Sequence, residues 1–551
     1  MVPPVLVGSR LLATFHRLAR AARLTRVAPL LGIAATLMLA PASSNLVAAH
    51  PAIAPSRHVL LISVDGLHAS DLKQWIMSNP SSNLAALAAK GTTYTKASTS
   101  EPSDSFPGLL ALVTGASPKT TGVYYDDSYS RVLWAPGSNC AGPAGAETVY
   151  SEVLDAVGGK IPLFGSIQPA NLPMGKLDGT CEVVYPHSFL QTNTIFNVAH
   201  DAGLYTAWSD KHPAYEIVRG RQNTGAEDLF TPEINLNVSA TDGCFSGKDP
   251  TKVSVAQTFC YDKIKVQAVL NEIDGRDSAN TQSEPVPAIF GMNFQAVSVA
   301  EKLVDSYATP GGYMPGTLVF TSQMNEALGD VDGAIGQFWT ELGAQGLQDS
   351  TELIITAKHG QSPIDPTKLQ KIGDQITTVL TASGTGVTSA DIGQITEDDV
   401  ALIWLRDQSK TAAAVAALQK DQEGSNTAHI QTILAGDALV DQFGNPAHND
   451  RTPDIIVQPI PGTIYTTSGS KVAEHGGFTP DDTHVALLVV DGSQQTDTGK
   501  GGKWEHGAWT GHTVSEPVTT RQVAPTILRY LGINPNRLDG VRAEHTEELP
   551  N

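Results

Sequence analysis

His58-Val59-Leu60-Leu61-Ile62-Ser63-Val64 runs almost unbroken apolar into Asp65-Gly66. A strand that does not alternate apolar with polar residues has no wet face, so it belongs inside a sheet covered on both sides, usually one crossed over by helices. Such a strand delivers Asp65 to the end of the sheet. Further along, Glu101-Pro102-Ser103-Asp104-Ser105-Phe106-Pro107-Gly108 sets a hydroxyl just before a helix start that proline presets. Free backbone N–H groups at a helix start favour a phosphate oxygen. A strand-end carboxylate and a hydroxyl in that position are what metal-assisted phosphoryl or sulfuryl transfer needs. The plain alternative is that Ser105 only caps its helix.

The rest of the chain alternates strands and helices. Strands are expected at residues 288–293, 353–357, 400–405, 454–458 and 485–490, beside 58–64. Helices are expected at 84–90, capped by Asn83 and ended by Gly91, from 108 onward, at 412–419 and at 522–531. This is an α/β pattern: a mixed sheet flanked by helices on both faces. Residues 364–451 are expected to form a smaller inserted subdomain.

Composition narrows the function classes. The 551 residues carry a net charge of -20 with 41% hydrophobic content, which argues against a general nucleic-acid surface and against a disordered chain. Residues 1–49 read as a secretory signal: Arg10, Arg17, Arg20, Arg23 and Arg26 precede the apolar 27–40 stretch, and Val47-Ala48-Ala49 offers small residues for cleavage. An uncleaved anchor is the alternative; no later segment reads as membrane-spanning. The mature domain is then 50–551, secreted or periplasmic. Cys140, Cys181, Cys244 and Cys260 lack CxxC spacing and favour disulfides, with Cys140 to Cys181 and Cys244 to Cys260 preferred among three pairings as nearest neighbours.

In order along the chain, Asp65-Gly66, Ser105-Phe106-Pro107, Thr114-Gly115, Gly122-Val123, Lys358-His359-Gly360 and His475-Gly476 resemble the type I phosphodiesterase and nucleotide pyrophosphatase family of the alkaline phosphatase superfamily. The resemblance spans 58 to about 531. It implies an alkaline-phosphatase-like fold and hydrolysis of a small phosphate ester or nucleotide through a covalent phosphoseryl intermediate, with a divalent metal, zinc, as one or two ions. Asp65, Ser105 and His359 map onto one metal and His475 onto the other.

The departures from the family are equally specific. Lys358 stands where the family has a metal-binding Asp, and a protonated lysine cannot ligate a metal. The stretch 289–299 lacks the family's Asp, three residues, then His. Two repairs stay open: Lys358 supplies the missing positive charge as a catalytic residue, or Asp210 and His212 replace the lost metal ligands. Asp126 occupies the position of an Asn that contacts the substrate phosphate and would need a cation or a proton beside it. Asp481 and Asp482 are candidates to orient His475, and His506 and His512 are weaker substrate or metal candidates. A binding protein that has lost catalysis, and a sulfatase or phosphonate hydrolase of the same superfamily, are the alternatives.

Overall fold

Eight strands make the main sheet: β1 (His58–Val64), β2 (Thr92–Tyr94), β3 (Ala207–Ser209), β4 (Asp228–Phe230), β5 (Ile289–Phe294), β6 (Thr351–Thr356), β7 (Leu487–Asp491) and β8 (His512–Val514). Their spatial order is β8-β2-β7-β6-β1-β5-β3-β4 in the computed structural model. It describes residues 56–150, 154–177, 179–238, 249–304, 311–492 and 511–550. The expected leader, 1–49, lies outside these residues, as do Cys244 and His506.

From β6 to β4 the neighbours are parallel, whereas β7 runs antiparallel to β6 and β2. The sheet is therefore mixed, and β1 has a parallel neighbour on each side. All seven residues of β1 are buried. Val59 and Leu61 point into one core with the helices Ser105–Thr114, Ile195–His200 and Val523–Tyr530. Leu60, Ile62 and Val64 point into the other, with the helices Ala69–Ser78, Val255–Ile273 and Ser322–Ala344. Each fully buried Leu or Ile contributes about 1.5–3 kcal/mol, so both faces hold β1 in register.

Some boundaries moved for local reasons. The early helix spans Asn83–Ala88, and its cap is Ser82, whose hydroxyl accepts the Ala85 N–H. Asn83 instead donates its amide to Asp332 Oδ2 at 2.9 Å. The strands Ala401–Leu405 and Ile455–Pro459 are not in the main sheet. They form a separate antiparallel sheet with Ile392–Glu397 and Ile430–Leu434, so this unit continues past Arg451. One face of it carries Ala401, Ile403 and Leu405 and packs on Ala414 and Leu418; the other carries Leu402 and Trp404 and packs on Tyr124, Tyr125 and Tyr129.

A disulfide joins Cys140 to Cys181, and Cys260 is also disulfide-bonded. No helix among the described residues is long and apolar enough to cross a membrane.

Candidate active site

Four parallel strands deliver polar residues at their C-terminal ends, the edge where open α/β sheets place their sites. Asp65 follows β1, Asp210 and Lys211 follow β3, Gln295 follows β5, and Lys358 and His359 lie just beyond β6. Ser105 comes from elsewhere, as first residue of the helix Ser105–Thr114, capped by Asp104, which accepts the Phe106 N–H at 3.0 Å. Gly108 allows this helix to approach closely: a Cβ there would lie 2.1 Å from the Lys358 carbonyl oxygen. The hydroxyl is thereby seated against the segment that carries His359.

Around Ser105 Oγ the geometry is tight. His359 Nε2 lies 3.1 Å away, Asp65 Oδ2 3.4 Å and Lys211 Nζ 2.9 Å. His359 Nδ1 is 2.9 Å from the Gly360 carbonyl, which can only accept. Neutral His359 thus carries its proton on Nδ1 and leaves Nε2 as an acceptor facing the serine. Lys211 Nζ also donates to Asp65 Oδ2 at 3.0 Å and to Gln295 Oε1 at 3.4 Å. Asp65 Oδ2 further accepts Gln295 Nε2 at 2.6 Å and Asn293 Nδ2 at 3.2 Å.

Lys358 is fully buried and donates to both Asp210 oxygens at 2.9 Å. Trp208 Nε1 donates to the same carboxylate at 3.1 Å, and the lysine ammonium sits 4.1 Å from the Tyr215 ring centroid. His212 Nδ1 is 2.6 Å from Glu233 Oε1. Asp210 and His212 therefore do not converge on His475. The His475 ring lies 4.1 Å from that of His359, centroid to centroid, and its Nδ1 is 3.8 Å from Asp104 Oδ2.

Charge and burial set the protonation states. Burial alone would raise the Asp65 carboxyl, but Lys211 and Lys358 hold it well below the usual carboxylate range. Burial would lower Lys211, yet Asp65 and Asp210 raise it, so it stays an ammonium. Burial lowers His359 despite Asp65, and burial together with Lys302 and His359 lowers His475 further. Both imidazoles are neutral near pH 7. Burial pushes Asp104 up to about 6.

These residues do not fit the two metal centres implied by the resemblance. Asp65, Ser105 and His359 do converge, but the Lys211 ammonium already bonds two of the three. Gln295 and Val299 stand at the Asp-then-His spacing, and neither is a carboxylate or an imidazole. A group that can hold a metal lies behind the site: His68 Nδ1, Asp71 Oδ2 and Glu301 Oε1, all buried. His68 Nδ1 is 2.8 Å from Asp71 Oδ2, and Tyr313 donates its hydroxyl toward Asp71 at 2.8 Å or Glu301 at 2.9 Å.

The other candidates scatter. Asp126 lines a cavity of about 450 Å³ with Asp127, Glu397 and Asp398. Asp482 accepts from Thr479 in a helix cap, and Asp481 accepts the Ile364 N–H, so neither orients the His475 ring. His512 lies exposed on the edge strand β8. Lys211 and Gln295 were missed in the sequence. Their signal was position, directly after a short apolar strand, since the ends of parallel strands collect a site.

The family model for type I phosphodiesterase / nucleotide pyrophosphatase matches residues 59–159 and 190–484. No match was found among curated proteins. Among solved structures, the murine ectonucleotide pyrophosphatase / phosphodiesterase 5 has a TM-score of 0.53 at 14% identity, covering 87% of this chain and 96% of that one. The human protein of that name has a TM-score of 0.53 at 12% identity, covering 87% of this chain and 95% of its own. An inactive form of the murine protein, in complex with AMP, is similar at a TM-score of 0.53 and 13% identity, covering 87% and 96%. The neighbours support the fold, and the match over most of the sequence decides membership: the chain belongs to the type I phosphodiesterase / nucleotide pyrophosphatase family of phosphoric ester hydrolases.

Proposed function

We propose that this chain hydrolyses a small phosphodiester or nucleotide pyrophosphate through a phosphoseryl intermediate on Ser105. The observation that carries this reading is the Ser105 hydroxyl at a helix start, 3.1 Å from the unprotonated Nε2 of a buried, neutral His359. A hydroxyl beside a positioned base is the general arrangement of an activated nucleophile. His359 takes the serine proton as the oxygen attacks phosphorus, and its Nδ1–H stays anchored on the Gly360 carbonyl. Lys358 acts one step back, as a positioning residue that fixes Asp210. A nucleotide is a reasonable probe because the murine neighbour is described in complex with AMP.

The direct test is Ser105→Ala assayed on bis-p-nitrophenyl phosphate, p-nitrophenyl phosphate, a nucleotide p-nitrophenyl ester and a sulfate ester. Loss of turnover is expected, with diester preferred over monoester; turnover equal to wild type on whichever ester is cleaved rules out the nucleophile. A second reading, a secreted binding protein without catalysis, is favoured by Gln295, Val299 and Lys358 at ligand positions. It predicts nucleotide binding by wild-type protein with no hydrolysis of any of these esters.

Export fits the Cys140–Cys181 disulfide, since such bonds persist in oxidising compartments. N-terminal sequencing of protein recovered outside the cytoplasm is expected to begin near His50. A retained Met1 would place the leader in the mature chain.

A further inference from the structure

We propose that Lys211 is the catalytic cation of this centre, its ammonium standing between the nucleophile and the strand-end carboxylate where a divalent ion would otherwise be held. This rests on Ser105 being the nucleophile. Lys211 Nζ touches the reacting oxygen at 2.9 Å and Asp65 Oδ2 at 3.0 Å, and its side chain is 13% exposed while that of Asp65 is fully buried.

The departures from a metal centre are physically linked. Lys358 removes a ligand and at the same time pins Asp210, whose Oδ1 accepts the backbone N–H of Lys211 at 2.9 Å. The Lys211 carbonyl accepts the Ile234 N–H at 3.0 Å, so the loop is held from both sides. Gln295 turns its amide N–H toward Asp65 and its carbonyl oxygen toward Lys211, which a carboxylate would do only by repelling Asp65. Two ammoniums, Lys211 and Lys358, face two carboxylates, Asp65 and Asp210. A divalent ion bound here would force two cations onto Asp65 Oδ2, which Lys211 already occupies.

The chemistry balances with these groups. Ser105 Oγ bonds to phosphorus as the bond from phosphorus to the leaving oxygen breaks; the serine proton passes to His359 Nε2, and the leaving alkoxide takes a proton from solvent. Water then bonds to phosphorus and gives a proton to solvent, the bond from Ser105 Oγ to phosphorus breaks, and His359 returns its proton to Oγ. Lys211 stabilises negative charge on Oγ as it attacks and again as it leaves. A preorganised donor of this kind is worth about 10²–10³ in kcat.

The experiment treats the whole protein with EDTA, then measures metal content, Zn²⁺ binding by calorimetry, and hydrolysis of bis-p-nitrophenyl phosphate. Wild-type turnover is expected to survive chelation, and Lys211→Ala to lose about 10²–10³ in kcat with Lys211→Arg recovering part of it. Wild type is expected to show no stoichiometric Zn²⁺ uptake at the serine, and Lys211→Ala to gain an equivalent that Asp65→Asn removes. Stoichiometric Zn²⁺ binding by wild type that Asp65→Asn abolishes overturns the proposal, whatever the turnover. Absence of all hydrolysis, with and without metal, counts against the hydrolase reading, while the Zn²⁺ titration still decides the lysine.

Discussion

Two buried polar clusters hang from the same three chain segments and are satisfied very differently. Asp65, Gln295 and His359 supply the first; His68, Glu301 and Gln361, a few residues further along each segment, supply the second. In the second cluster every side-chain polar atom has a partner: Gln361 Nε2 donates to Glu301 Oε2 at 2.8 Å, and Tyr313 closes the gap between the carboxylates. In the first, Asp65 Oδ1, Asp104 Oδ2 and His475 Nδ1 are buried with no hydrogen-bond partner. A buried unsatisfied polar atom costs about 1–3 kcal/mol, so stability alone argues against retaining three of them side by side. The contrast separates a joint that holds the site's segments together from a surface built to receive a ligand's atoms. Gly66 shows how close the two lie: a Cβ on this residue, next to Asp65, would meet Glu301 Oε2 at 2.7 Å.

The largest effect that sharpens this contrast is chemical. Ser105→Ala is expected to lower kcat by at least about 10³, with a melting temperature close to wild type, because the hydroxyl carries reactivity and little packing. A melting temperature well below wild type would place the serine among the holding groups instead. Next comes Lys358→Ala, which leaves Asp210 buried beside Tyr215 with its cation gone. Breaking a buried pair from one side costs about 3–5 kcal/mol, read by urea unfolding. A loss under about 1 kcal/mol would mean that Lys358 is not the anchor of the Lys211 loop.

The same contrast explains what could be read before the structure. The covered strand β1 and the mixed sheet were legible because each depends on a local pattern, an apolar run and its alternation with helices, whereas the grouping of Asp65 and Ser105 with His359 came from the family resemblance. Lys211 was marked in the sequence only by its position beyond a short strand. It lay between two residues weighed as metal ligands, and only the pairing of β3 with β5 brings its ammonium to Ser105. Lys358 was read as a cation supplying charge to the site; its side chain is held by Asp210, a partner 148 residues away. The His68 cluster joins residues from four segments, and no short motif marks it.

Tyr313→Phe probes the holding cluster itself. It removes the hydroxyl shared by Asp71 and Glu301 and leaves the ring in place against Phe320. About 1–3 kcal/mol of stability should be lost, with kcat changed less than in Lys211→Ala. If Tyr313→Phe instead abolishes turnover at full stability, the cluster belongs to the chemistry. Zn²⁺ binding that Glu301→Gln removes would make it a metal site rather than a proton-sharing joint.

The two clusters should also pull stability in opposite directions with pH. Burial would lower His68, but Asp71 and Glu301 outweigh it and raise it well above 6.5; burial lifts Glu301 to about 7. A raised histidine gives stability that is complete below about 6.5 and lost as pH climbs through its folded value, and the raised Glu301 acts with the same sign. His359 and His475 are lowered, so they cost nothing above about 6.5 and destabilise the fold as pH falls below it, where the unfolded chain binds their protons more readily. One proton changes stability by about 1.4 kcal/mol per pH unit, so denaturant unfolding from pH 5 to 9 resolves both limbs. Glu301→Gln should flatten the alkaline limb, and His359→Asn the acid one. If Glu301→Gln left the alkaline slope as it is in wild type, His68 would not be the group that holds these segments together by sharing its charge.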